Sequence, residues 1–262
     1  MISLQNGSPR RLISDEEYLS EQLRWSNEIE GSLDEVDGYN CIICKNKGYL
    51  YRIEGDSIVA SKCLCMTTRK SIRLLRKSGL SNSIKSFDDF ETNKSWQAEL
   101  KKKAMLFAGN NNKQTCFFVG GQSGAGKTHI CSAIAKAFIE KGIETRYVIW
   151  VSTIEKLTNY NDPDRIDLME NLSTVKVLYI DDFLKPLGKE KSYTSREIQK
   201  TFDLIDRRYK IGDVITIISS ELGIDDVNRI DQALAGRIVE MASRDFVITI
   251  AKNPDNNYRY NF

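Results

Sequence analysis

The chain has 262 residues, 41% of them hydrophobic and 28% charged, with a formal net charge of +2. This balance belongs to a folded globular protein with one sizeable core and a smaller part, and it excludes a disordered or low-complexity chain. No apolar run approaches the roughly 20 residues of a membrane span, and the N-terminal stretch MISLQNGSPRRLISDEEY lacks the apolar core of a signal peptide, so a cytoplasmic protein with no membrane partner is expected.

Residues 14–36 predict an amphipathic helix or a pair of short helices, with Leu19, Leu23, Trp25 and Ile29 set among acidic positions and Asp37-Gly38 as the stop. This stripe either docks on a partner or folds back on the C-terminal α/β domain. Residues 49–53 and 57–60 read as two strands joined by Glu54-Gly55-Asp56, a hairpin signal. A basic helix over 66–77 follows, carrying Arg69, Lys70, Arg73, Arg76 and Lys77, and it ends at Ser78-Gly79. It is either a solvated face or a surface for nucleic acid or an acidic protein.

Residues 80–92, rich in Ser, Asn and Asp, read as a linker, and helical periodicity returns over 96–108. Strands are then expected at 115–119, 145–151, 175–180, 214–218 and 246–250, with helices at 128–141, 195–209 and 231–241. Apolar strands alternating with helices imply an α/β fold around a parallel five-stranded sheet covered on both faces. The expected division is an acidic helical segment (1–37), a small cysteine domain (38–66), a basic helix with linker (67–95) and the α/β domain (96–262).

Gly121, Gln122, Ser123, Gly124, Ala125, Gly126, Lys127 and Thr128 match G-x-x-x-x-G-K-[ST] between an apolar strand and an Ala-rich helix, where the motif has to sit to cradle phosphates. The glycines allow the backbone N–H groups to turn inward, and the helix N-terminus adds partial positive charge. Lys127 is expected on the β- and γ-phosphates of ATP, and Thr128 on Mg²⁺. The strand Val177-Leu-Tyr-Ile-Asp181-Asp182 delivers two carboxylates to the sheet's C-terminal edge. Asp181 would hold Mg²⁺ through water, and Asp182 would orient or deprotonate the attacking water. On the strand ending Ser219-Ser220-Glu221, Ser220 is the first choice as γ-phosphate sensor and Glu221 the second.

Cys41-x-x-Cys44 and Cys63-x-Cys65 lie at the two ends of the expected hairpin, so closing the hairpin gathers four thiolates, a set that suits tetrahedral Zn²⁺. An iron–sulfur cluster and unliganded thiols are the rivals. So small a unit cannot bury enough apolar area alone, and a metal would supply its folding energy. Cys116 and Cys131 read as small buried apolar residues, and His129 as incidental to catalysis.

The three elements of the nucleotide site, in this order, resemble an AAA+ ATPase. Leu178-Tyr-Ile-Asp-Asp-Phe183, Thr201-Phe-Asp-Leu-Ile-Asp-Arg-Arg-Tyr209, Thr216-Ile-Ile-Ser-Ser-Glu221 and Gly236-Arg-Ile238 are similar to the DnaC/DnaI helicase loaders of the IstB/DnaC-like group. So are Ser78-Gly-Leu-Ser with Phe87 and Phe90, the terminal Tyr258-Arg259, and the N-terminal cysteine cluster. The resemblance implies a loader or adaptor of a hexameric replicative helicase in DNA replication, often encoded by phages or mobile elements. Its N-terminal domain would grip the helicase. Its AAA+ domain, which lacks a large helical lid, would bind ATP and single-stranded DNA and self-associate. Arg237 matches the finger that reaches a neighbour's nucleotide, with Arg229 the alternative, and Arg259 would take over part of the lid's sensing. Glu221 stands at the family's sensor asparagine and Asp182 where most AAA+ proteins carry Glu, which implies weak ATPase activity used as a switch. Basic and aromatic candidates for DNA are the 69–77 helix, Lys156 and Arg165, with Tyr147, Trp150 or Tyr160 as stacking surfaces. The alternative is an IstB-type transposition helper assembling on duplex DNA, a group that usually lacks a cysteine domain. A small-molecule kinase is the third reading; Arg237 and the missing lid weigh against it.

Overall fold

The computed structural model describes residues 14–80, 85–109, 113–185 and 193–257. Ser81, Tyr258 and Arg259 lie outside the described residues. The chain divides into two compact units between Ile72 and Arg73.

In the first unit, α1 (Asp15–Glu28) starts at Ser14, whose hydroxyl accepts from the Glu17 N–H at 3.2 Å, and α2 (Leu33–Asp37) stops at Gly38 in the left-handed region. Then β1 (Tyr49–Glu54) pairs antiparallel with β2 (Ser57–Lys62), Tyr49 opposite Lys62, and α3 (Cys65–Ser78) begins here and runs past Ile72, the unit's last residue. The acidic helix lies on this hairpin. Asn27 donates to the Tyr51 carbonyl at 3.0 Å and accepts from its N–H at 3.2 Å, as a neighbouring strand would. Trp25 nonetheless stays 67% exposed. The buried apolar cluster of this unit consists of its four cysteines, with Tyr39, Leu50 and Met66 against them. Arg69 departs from the sequence reading. Expected on a basic exposed face, it is fully buried, paired with buried Asp37 and donating to Asn46 Oδ1 at 2.8 Å. An unpaired charge at this depth would cost several kcal/mol, so the ion pair is what permits its burial.

In the second unit, α4 (Ser95–Ala108), β3 (Cys116–Gly121), α5 (Lys127–Glu140) and β4 (Thr145–Ile149) lead to α6 (Trp150–Thr158) and α7 (Arg165–Thr174). Next come β5 (Val177–Asp181), α8 (Ser195–Ile211), β6 (Ile215–Ser219), α9 (Ile224–Ile230), α10 (Gln232–Ala242) and β7 (Val247–Ile250). The sheet is parallel throughout, in the order β4-β5-β6-β3-β7. Every residue of β3, β5 and β6 is buried, as strands covered on both faces must be. The expected strand over 145–151 is cut short, because Trp150 opens α6 and buries Trp150, Thr153, Ile154 and Leu157 at helical spacing.

Candidate nucleotide-binding site

The C-terminal ends of β3, β5 and β6 surround one cavity of about 400 Å³, whose lining includes Lys127, Thr128, Asp181, Asp182, Ser220 and Glu221. The loop after β3 keeps positive φ at Gly121 (105°), Gly124 (74°) and Gly126 (82°). A Cβ on Gly121 would stand 2.0 Å from the Ile250 carbonyl oxygen, and one on Gly124 would stand 2.0 Å from Asn257 Oδ1. The need for glycine there comes from β7 and the segment after it as much as from the loop. Lys127 begins α5 and donates to the carbonyls of Gly121 at 2.9 Å and Gln122 at 2.6 Å. Burial pulls its ammonium below the usual lysine value, with the Glu221 carboxylate opposing that shift.

Asp181 is held by three hydroxyls. Thr128 Oγ1 donates to Oδ1 and Tyr147 OH to Oδ2, each at 3.2 Å, and Ser219 Oγ donates to Oδ1. Tyr179 OH ties the set together, 3.2 Å from Ser219 Oγ and donating to the Thr128 carbonyl at 3.4 Å. A hydroxyl and a carboxylate side by side in an open cavity are the hard oxygen donors that suit Mg²⁺. Ser219 was not singled out from the sequence; Ser220, one residue on, points elsewhere. Its hydroxyl donates to the Phe183 carbonyl at 2.7 Å and accepts from the Leu222 N–H at 3.0 Å, which fixes the turn. Asp182 adopts φ +53°, a strained value for a non-glycine residue.

Neither arginine-finger candidate lines this cavity. Arg237, on α10, pairs with Asp206 at 3.0 Å and Glu240 at 3.4 Å and stacks 4.3 Å over the Tyr209 ring. Arg229 pairs with Asp226 at 2.7 Å. Of the proposed stacking aromatics, Trp150 is buried in the core and Tyr147 is engaged with Asp181. Tyr160 is 62% exposed, with Arg196 at 4.1 Å and Arg165 at 5.5 Å from its ring centre. Together with Lys200 and Arg207 they line a second recess of about 290 Å³.

In the first unit, Cys41, Cys44, Cys63 and Cys65 place their sulfurs within 4.8 Å of one another, with Cys41–Cys63 at 3.9 Å and Cys44–Cys65 at 3.5 Å. Four thiolates about 2.3 Å from a tetrahedral zinc would stand about 3.8 Å apart, so the donor set fits that ion. The Gly48 N–H points at Cys44 Sγ at 3.3 Å. Backbone N–H groups of Cys44 and Ile43 help bring the Cys41 thiol down to about 7, whereas burial pushes Cys65 up to about 12.

Residues 45–245 match the family described as IstB-like ATP binding protein. The chain belongs to that family. It is 29% identical over 241 residues to the phage-like element PBSX protein XkdC of Bacillus subtilis, covering 84% of this chain and 86% of that one. It is 26% identical over 177 residues to the chromosomal replication initiator protein DnaA of Onion yellows phytoplasma, covering 64% of this chain and 34% of that protein. Among solved structures, DnaI superposes with a TM-score of 0.53 at 17% identity, over 66% of this chain and 94% of that one. AMPPCP-bound DnaA from Aquifex aeolicus gives 0.54 at 16%, over 68% and 53%. The fold of this IstB-like protein is therefore the AAA+ fold, and ATP binding comes with the family. No helix among the described residues is long and apolar enough to cross a membrane.

Proposed function

We propose that this IstB-like ATPase is a loader or adaptor for a hexameric replicative helicase, with nucleotide state deciding when it holds its partner. The observation that carries the reading is the union, on one chain, of the Thr128–Asp181 nucleotide site with a separate four-cysteine module. In the ATPase unit, Lys127 binds the β- and γ-phosphates, and Thr128 with Asp181 holds Mg²⁺, which supplies charge neutralisation. Ser219 and Tyr147 keep the Asp181 carboxylate aimed. Asp182 orients the attacking water, and its short side chain and strained backbone make hydrolysis slow, a reset rather than a power stroke. Cys41, Cys44, Cys63 and Cys65 hold structural zinc, and the exposed Ile42, Ile43 and Leu64 between them offer the helicase an apolar grip.

Single-stranded DNA binds through the Tyr160 recess, where the guanidiniums over the ring would turn to neutralise phosphates and leave the aromatic face to a base. Subunits self-associate through the AAA+ unit, with Arg237 as the finger. The family's IstB name favours a second reading, a transposition helper that assembles on duplex DNA. Capture of the host's replicative helicase by the full chain, in the presence of ATP, separates the two. Recovery of the helicase is expected; tight duplex DNA binding with no helicase recovered would overturn the loader reading. Within either reading, Lys127→Ala should abolish ATP binding in an equilibrium titration, and unchanged affinity would refute the site.

A further inference from the structure

Glu221 poses an electrostatic problem. Among the residues lining the nucleotide cavity, Lys85 and Lys127 face three carboxylates, Asp181, Asp182 and Glu221. One carboxylate is therefore in excess before a polyphosphate arrives, and Lys127 is already committed to two loop carbonyls. The chain supplies a further cation from outside that lining. Lys185 Nζ stands 3.2 Å from Asp182 Oδ2 and 3.9 Å from Glu221 Oε1. It reaches both because the backbone after β5 folds back on itself, with Asp182 at φ +53° and Leu184 at φ +51°. Two left-handed non-glycine residues so close together are costly, and such strain persists only where the surroundings hold it. Here buried Phe183 and Leu184 anchor the turn, the Phe183 N–H donates to the Ser219 carbonyl at 2.9 Å, and the Lys185 N–H donates to the Asp182 carbonyl at 3.1 Å.

We propose that Lys185 is a positioning residue of the nucleotide site: its ammonium ties Asp182 to Glu221 and cancels the anionic charge of Glu221 beside the γ-phosphate position. The inference rests on the nucleotide reading of the cavity and adds a residue that motif spacing does not mark. A half-exposed i,i+3 ion pair alone contributes little to stability. A cation shared by two carboxylates at the mouth of a polyphosphate site acts instead on ligand affinity, and its effect should grow with ligand charge.

The test is equilibrium titration of ATP and ADP against wild type, K185A, K185R, E221Q and K185A/E221Q. K185A should weaken ATP about fivefold and ADP less than about twofold, and K185R should stay near wild type. In K185A/E221Q, ATP affinity should return to within about twofold of E221Q alone, because the charge needing cancellation is gone. Unchanged ATP affinity in K185A, equal losses of ATP and ADP, or a loss that persists in the double variant would overturn the proposal. Those outcomes with a wild type that binds ATP normally leave the nucleotide site intact. A wild type that fails to bind ATP would remove the site and the clamp together.

Discussion

Tyr147 shows how much of the site depends on groups without a motif. Its hydroxyl is one of three on the Asp181 carboxylate and the only one of them on Oδ2. Its ring packs 5.1 Å from that of Tyr179, so the hydroxyl is delivered by a fixed platform. Tyr147→Phe keeps the ring and removes one hydrogen bond, worth about 1 kcal/mol net. ATP affinity should stay near wild type, while the Mg²⁺ concentration for half-maximal hydrolysis rises about fivefold. A Mg²⁺ titration of ATPase activity that matches wild type would show that Tyr147 does not aim Asp181. Arg208, inside one of the runs that resemble helicase loaders, has the opposite character. Fully buried, it donates to the carbonyls of Leu172, Ser173, Val175 and Ile215 and to Thr216 Oγ1, and burial lowers its guanidinium to about 10. It closes the C-terminal end of α7 and has no free donor face for a ligand.

At the scale of elements, the cysteine module depends on α3 one turn beyond the Cys65 that opens it. Arg69 on α3 joins Asp37 at the end of α2 to Asn46, whose Oδ1 also accepts the Cys41 N–H at 2.7 Å. Arg69→Met fills the space but removes the guanidinium from the buried Arg69–Asp37 pair, a loss of up to about 3–5 kcal/mol. Zinc release to a chelator should become faster and the denaturation midpoint of the first unit lower. Zinc retention equal to wild type would show that the ion pair does not hold the knuckles. The four cysteines were legible because their spacing survives as sequence. Arg69 was not, since a basic run on a helix looks alike whether one member faces solvent or core. The same limit explains Ser219 and Ser220. Successive side chains on a strand and its continuation point to different sides, so a shift of one residue moves the hydroxyl from Asp181 to the Phe183 carbonyl. The parallel sheet was legible from its long apolar strands. Helices α6, α7 and α9 were not, because α6 begins inside a β-branched and aromatic run and α9 spans only Ile224–Ile230.

For the molecule as a whole, the question is whether the ATPase unit acts alone or in pairs. No arginine lines its nucleotide cavity among the described residues, although charge on a transferring phosphoryl group calls for one. Arg237 is two-thirds shielded and paired with Asp206, whose carboxyl is held below its usual range by Lys210 first and by Arg237 second. Lys210 stands 2.6 Å from Asp206, so that carboxylate keeps a cation when Arg237 leaves. Leaving would cost Arg237 its half-exposed Glu240 pair and its stack on Tyr209, each a small contribution, so a reach toward a neighbouring subunit carries a modest cost. Arg237→Ala should therefore lower stability by less than about 1 kcal/mol, yet lower ATP turnover on the order of a thousandfold if it is the finger. Mixing decides whether it acts between subunits. Lys127→Ala keeps Arg237 and should lose the nucleotide, whereas Arg237→Ala should keep the nucleotide. Each alone should be inactive, and an equal mixture should regain part of the wild-type turnover, because some interfaces then pair an intact loop with an intact arginine. A mixture as inactive as its components, with ATP binding by Arg237→Ala confirmed, would show that Arg237 serves only its own chain through Asp206.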